Sequence, residues 1–415
     1  VTLFGIRPEQ GVRLTNIFAT PWHVTDGAEA APAGERPRLG RPETYFTGSA
    51  TPQVLHKLAL DHHKIEFESW DRPLASARLW LFAVPSTQIV AVLTLDVEDE
   101  LADTVDLLED CFYADLKIDG RSLEGVAAEL TGGTGGFFPE RHQLAFSSRL
   151  PPATSDDLVQ RVIYRGDLPE REEFSTITYP SELNRRPETT AAVGPYVSVL
   201  CGQPKYVEDG IFLSAVQGVA SAARLREIRS VAYQAVEAFR GRDRGWQDTR
   251  ERRRSLESLT DQLGDLELDL SYSVEATADL GMMVPSLRVA GYHDALYGTM
   301  GLVGKAENVA RMLERLGRAI RAELTSIESL ERRADEDRRL RWTVAVGFVS
   351  TVAIPVTLVL TFFGVNAREV DVRVSMFAGR YWGIYGLTVA VVGVGVGLLV
   401  GLYLRQRHMM RRDRR

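Results

Sequence analysis

The sequence predicts an α/β cytosolic domain, then long stalk helices, then two transmembrane helices close to the C-terminal end. Three observations carry this. The stretch Trp342–Phe363 has no charged residue. At about 22 residues it would rise roughly 33 Å as a helix, enough to cross a hydrocarbon core near 30 Å. A second apolar stretch, Tyr381–Leu404, is followed by a cluster of arginines. In the first half, short runs of branched and aromatic residues are separated by Pro- and Gly-rich loops. These patterns divide the chain into an α/β domain (1–205), a helical stalk region (206–341), a first span (342–366), an external loop (367–380), a second span (381–404) and a basic tail (405–415).

A chain of 415 residues exceeds one ordinary domain, in keeping with a soluble part and a membrane part. The net charge of −7 gives no sign of nucleic-acid binding. Cys111 and Cys201 form no spacing motif and suit a reducing compartment. The first residues, VTLFGIRPEQGVRL, hold no basic-then-apolar signal segment, so the soluble part is expected to stay on the cytosolic side.

Within residues 1–205, Ala77–Val84 and Gln88–Val97 flank Pro85-Ser86-Thr87 and read as a hairpin. Their near-continuous hydrophobicity predicts strands covered on both faces. Asp99–Cys111 has helical spacing through Leu101, Val105 and Leu108, while Leu158–Tyr164 and Tyr196–Cys201 read as further strands. Thr25–Pro42 and Gly132–Gly136 read as loops.

Several constellations invite a chemical reading. Thr131-Gly-Gly-Thr-Gly-Gly136 has the glycines of a phosphate cradle without the Lys-Ser/Thr that would follow, and reads as a flexible loop. His62 and His63, with Asp61 and His56 nearby, read as polar surface, because adjacent histidines rarely aim at one metal. Arg250, Arg252, Arg253 and Arg254 read as a solvated helix face. No Ser, Cys or carboxylate grouping takes a catalytic role, so the expected function is not enzymatic and needs no cofactor.

From Ile211 the chain turns helical. Ile211–Arg240 and Trp246–Leu270 read as helices separated by Gly241–Gly245. In the second, Leu256, Leu259, Leu263, Leu266 and Leu270 form an apolar stripe. Asp261, Asp265 and Asp269 recur every four residues on another face; they are either solvated surface or carboxylates able to hold a divalent ion. Val309, Leu313, Leu316, Ile320, Leu324, Ile327, Leu330 and Ala334 then repeat near the helical period. Asp337-Arg338-Arg339-Leu340-Arg341 then passes into Trp342 without a Pro or Gly to stop the helix, so one helix is expected from about Lys305 to Phe363. Its stripe predicts packing on copies of itself, on a partner within the chain, or both.

In the first span Thr343, Gly347, Ser350, Ile354, Thr357 and Thr361 alternate at four and three residues, so they share one face. Val344, Phe348, Val352, Val359 and Phe362 lie off it. Such a stripe serves either interhelical hydrogen bonds or the wall of a water-filled pore. The second span carries Gly393, Gly397 and Gly401, a spacing that lets helices approach closely. Arg338, Arg339 and Arg341 precede the first span, and Arg405, Arg407, Arg411, Arg412, Arg414 and Arg415 follow the second. Basic residues at both outer ends place both termini in the cytoplasm and the intervening loop outside.

Pro355-Val356-Thr357, then Gly364-Val365-Asn366 at the end of the first span, a short loop, a second span and a basic tail resemble the CorA family of divalent-cation channels. That family ends its first span on Gly-Met-Asn, and its zinc-transporting ZntB branch commonly has Gly-Ile-Asn. Here the middle residue is Val365 and the preceding aromatic is Phe363. The resemblance covers Ala306–Arg415 most clearly. It implies a homopentamer in the cell membrane, surrounded by lipid, with the first span lining a central pore. Asn366, with Gly364 and Val365, would form the outer filter. Thr361, Thr357, Ser350, Gly347 and Thr343 would line the path, and Ile354 would constrict it. Because relatives are gated by intracellular magnesium between subunits, Asp261, Asp265 and Asp269 become candidate regulatory ligands.

The transported ion implied is magnesium, or zinc, cobalt or nickel. The alternatives are a ZntB-like zinc transporter, or a membrane-anchored sensor or effector that keeps the architecture and conducts little. The external loop departs from the family, whose outer loops are usually acidic. Arg368, Arg373 and Arg380 outnumber Glu369 and Asp371, a formal +1 per copy.

Overall fold

The structure is a computed structural model of the 415-residue chain. It describes residues 11–24, 52–85, 87–148, 156–166, 175–241, 249–271, 286–364, 373, 375 and 377–412. The chain divides into two compact units, Val1–Ile320 and Arg321–Arg415.

The first unit is built on a seven-stranded sheet. Its strands are β1 (Val12–His23), β2 (Gln53–Leu60), β4 (Ser76–Ala83), β5 (Gln88–Val97), β8 (Arg141–Ser147), β9 (Thr190–Val193) and β10 (Val197–Cys201), in the order β2-β4-β5-β1-β8-β10-β9. All neighbours are antiparallel except β8 and β10. The hairpin read around Pro85 is β4–β5, closed by the Ala83–Ile89 pair. A small sheet of β3 (Ile65–Phe67), β6 (Leu116–Ile118) and β7 (Arg121–Ser122) lies apart from it in topology.

Both faces of the large sheet are covered, which is why its strands are apolar at successive positions. One face, with Leu14, Leu79, Leu93 and Leu95, packs on α1 (Val105–Tyr113), α2 (Leu123–Thr131) and α3 (Asp156–Tyr164) through Leu108, Val126 and Val162. The other, with Ile17, Trp80, Phe82 and Val92, packs on α4 (Lys205–Gly241) and α6 (Leu287–Thr299) through Phe212, Val216 and Leu296. Between those two helices in sequence lies α5 (Thr249–Leu270), with Leu256, Leu259, Leu263 and Leu270 buried.

One local reading is corrected. Leu158–Tyr164 belongs to helix α3, not to a strand. Val159, Val162 and Ile163 fall on one buried helical face behind Asp156 and Asp157, a spacing of three and four that the short apolar run had hidden. The helix over Asp99–Cys111 begins as a 3-10 turn, Leu101–Thr104, before α1. The glycine stretch after α2 is a loop, and it makes specific contacts. Trp22 donates from Nε1 to the Thr134 carbonyl at 3.0 Å, and a Cβ on Gly133 would come within 2.6 Å of its ring. The Glu124 carboxylate of α2 accepts from the Phe137 N–H at 3.0 Å, which ties the end of the loop back to the helix.

A single helix, α7, spans Leu302–Gly364. Within the first unit, Val309, Leu313, Leu316 and Ile320 of its stripe are buried in the chain itself. Further along, Leu330 and Ala334 are exposed. The second unit holds the rest of α7 and α8 (Trp382–Arg412), which a 3-10 turn at Gly379–Tyr381 leads into.

Candidate functional site: an exposed hydroxyl stripe on an apolar helix

Both helices of the second unit are long and apolar enough to cross a membrane, and little of either apolar stretch is buried. Trp342, Val346, Phe348, Val349, Leu387 and Val394 are all exposed. In water such surface would drive association, since soluble monomers rarely expose contiguous apolar area on this scale.

The predicted polar face lies along α7. Thr343, Ser350, Thr357 and Thr361 are exposed, Gly347 is half-buried and Ile354 is 59% exposed. The threonines share one hydrogen-bond habit. Thr343 Oγ1 donates to the Arg339 carbonyl at 2.9 Å, Thr357 to Ala353 at 2.7 Å and Thr361 to Thr357 at 2.7 Å. This back-bonding satisfies each proton within the helix. What each hydroxyl then offers outward is oxygen lone pairs, acceptors suited to a cation or its water shell.

The side of α7 that meets α8 is a different one. Thr351 faces Gly395, where an added Cβ would come within 2.1 Å of Thr351 Cγ2. Thr351 lies roughly 80° round the helix from the stripe's centre, at 100° per residue. Pro355 inside α7 leaves the Thr351 carbonyl without its usual helical donor. Gly393, Gly397 and Gly401, expected to carry the close approach, have nothing within 4 Å of an added Cβ. They sit on the opposite side of α8 from Gly395, so within one chain the close contact uses the glycine between them.

Of the outer tripeptide, Gly364 ends α7, while Val365 and Asn366 lie outside the described residues. Arg368, Glu369 and Asp371 of the loop lie outside them too, as do Arg414 and Arg415 of the tail and Thr25–Pro42.

The acidic ladder is split by the structure. Asp261 and Asp265 are exposed, but Asp269 is ion-paired with Arg224 of α4. His62 and His63 lie with ring centroids 4.0 Å apart and planes tilted by 42°, on a turn where Asp61 accepts from the His63 N–H. Among the described residues no three His, Cys, Asp or Glu side chains converge as metal ligands. In the arginine run of α5, Arg253 pairs with Glu257 at 2.8 Å. Burial raises both thiols, that of Cys201 to about 12, so neither is a reactive nucleophile.

Sequence reasoning missed the polar groups inside the first unit. Arg13 of β1 bonds Asp96 of β5 at 2.7 Å and Glu208 of α4 at 3.3 Å, all three buried. Ser76 adds a bond to Asp96 at 2.6 Å. His142 of β8 meets the Ser198 hydroxyl at 2.8 Å, and that hydroxyl meets Tyr292 of α6 at 3.0 Å. Burial pushes the His142 imidazole down to about 3, so it is held neutral. The available signal was a charged or polar residue inside an otherwise apolar run, as in VRLTNIFAT around Arg13.

The fold and the stripe define a class: a layered α/β unit followed by one long helix, α7, whose C-terminal part is apolar, and a second apolar helix, α8, the order of parts that the resemblance implied. No protein-family model matches the chain, and no curated protein matches it. Two solved structures are similar to it. The full-length CmaX protein shares 14% identity at a TM-score of 0.30, covering 66% of this chain and 91% of that one. The CorA magnesium transporter from Methanocaldococcus jannaschii shares 12% at a TM-score of 0.28, covering 62% and 89%.

Proposed function

We propose that the chain is a membrane channel or transporter that conducts a divalent cation, magnesium or a related ion, through a pore lined by the hydroxyl face of α7. The observation that carries this reading is the row of threonine hydroxyls whose protons are spent on the helix backbone while their oxygens face outward. One copy supplies only one wall of a pore, so several copies must surround an axis, five of them by the resemblance. Magnesium gives up its waters reluctantly. A ring of Asn366 amide oxygens at the outer mouth would therefore hold the hydrated ion through its water shell. Thr361, Thr357, Ser350 and Thr343 would pass it inward, past an apolar constriction at Ile354 that closes by dewetting. The arginines outside each span put both termini in the cytoplasm of a cell-membrane protein.

Sealed liposomes carrying the purified protein test this directly. Selective influx of magnesium is the expected result. Influx of zinc in preference to magnesium would favour the zinc-transporting alternative, for which the β-branched Val365 speaks. Absence of flux under any gradient would favour the sensor. Asn366→Ala should strongly reduce flux while leaving the oligomer intact; if flux survives, Asn366 serves only to end its helix.

A further inference from the structure

We infer that the copies are held together in the first unit by α5 of one chain docking, head to tail, into a basic groove between α4 and α7 of the next. The inference rests on the oligomeric reading above and names the surface that builds it.

Two cavities of about 450 and 690 Å³ run along the α4–α7 seam and share Asn308 and Met312, so they form one groove. Its floor is apolar, with Leu225, Phe239, Met312 and Leu316 among its residues. Its rim carries Arg229, Arg240, Lys305, Arg311 and Arg315, all exposed. The acid in the lining, Glu140, is taken up by Arg226 at 2.7 Å. Among the described residues none of the five rim cations has a carboxylate partner. Arg229 reaches the Tyr233 hydroxyl, Arg311 the Asn308 side chain and Lys305 the Met300 carbonyl, all neutral. A chain of net charge −7 that gathers five unneutralised cations over an apolar floor has built a seat for an acidic, partly apolar occupant.

The same chain displays such a segment. On α5, Asp261, Asp265 and Leu268 follow at i, i+4 and i+7, on one face. Both aspartates are exposed, and Leu268 is 72% exposed, well out of the core that its neighbours Leu263 and Leu270 enter. The acidic face rises about 10 Å and the groove from Lys305 to Arg315 about 15 Å, so one fits along the other. A chain cannot fill its own groove with its own α5. Asp269 ties α5 to Arg224, and Arg226 at the groove lies two residues on, roughly 200° round α4. The acidic face and the groove are thus different surfaces of one molecule. A contact between different surfaces is heterologous and generates a ring when the rotation closes.

The test uses the full chain in detergent, with its native cysteines as background, both of which are buried. In a variant carrying Asp265→Cys and Arg311→Cys, a short thiol cross-linker should give a ladder of covalent dimers and larger species that neither single variant gives. Asp261→Lys with Asp265→Lys should lower the oligomer mass, and adding Arg229→Glu with Arg311→Glu should restore it. An oligomer that gives no ladder and ignores both sets of charge changes overturns the docking surface and leaves the pore reading standing. A monomeric wild-type chain overturns both.

Discussion

At the scale of single residues, the account turns on what a hydroxyl offers once its proton is spent. Thr357→Val keeps the shape of the α7 face and removes one acceptor per copy. It should lower cation flux several-fold with the oligomer unchanged, measured side by side with wild type in liposomes. His142 gives a second prediction, on stability. Its folded pKa of about 3 lies below the unfolded value, so the unfolded chain takes up the proton first as pH falls. The stability contributed by keeping it neutral is present above pH ~6.5 and is lost as pH drops toward 3. From pH 7 to pH 5 the wild type should lose about 2 kcal/mol more than His142→Gln, read from melts at the two pH values. Equal losses would show that another group governs the acid sensitivity. The same buried polar residues explain why β1 and β8, the middle of the sheet, went unread in the sequence. Arg13, Asn16, His142 and Gln143 make those runs look half solvent-facing. In the fold they are buried and find polar partners inside, Gln143 with Asn16 and the Leu108 carbonyl at 2.7 Å each.

At the scale of elements, α7 and α8 show what a helical pattern can and cannot tell. Period and length were legible, because a run without charges and a stripe of hydroxyls follow from the residue order alone. Which glycine meets which neighbour was not legible. Small-xxx-small spacing marks a face able to approach a helix, without saying whose. Gly395→Val should disrupt α7–α8 packing within each chain, because the β-branched Thr351 has no flexible end to withdraw. The same change at Gly397 should spare the single chain and act only where copies or lipid meet it. Protein yield and melting temperature in detergent separate the two outcomes, and equal effects would contradict the assignment. The reading of Leu158–Tyr164 as a strand failed for a related reason: over a short run, branched residues satisfy the strand and the helix patterns together.

At the scale of the whole molecule, the proposed pore makes the charge of the loop between the two spans a testable quantity. A formal +1 on each external loop, repeated around one entrance, should repel cations. Changing Arg368 and Arg373 together to Gln should raise cation flux, most at low ionic strength, since salt screens exposed charges over roughly 10 Å at 0.1 M. Unchanged flux would mean that these charges do not face the path and that the Asn366 ring alone selects. The central claim, that α7 lines a cation path, meets its most direct test in magnesium influx into sealed liposomes, recorded for wild type, Thr357→Val and Asn366→Ala at matched protein density. The account predicts influx for the wild type and a clear reduction for both variants, with oligomer mass unaltered. Equal influx in all three, or none from a correctly assembled wild type, would contradict it.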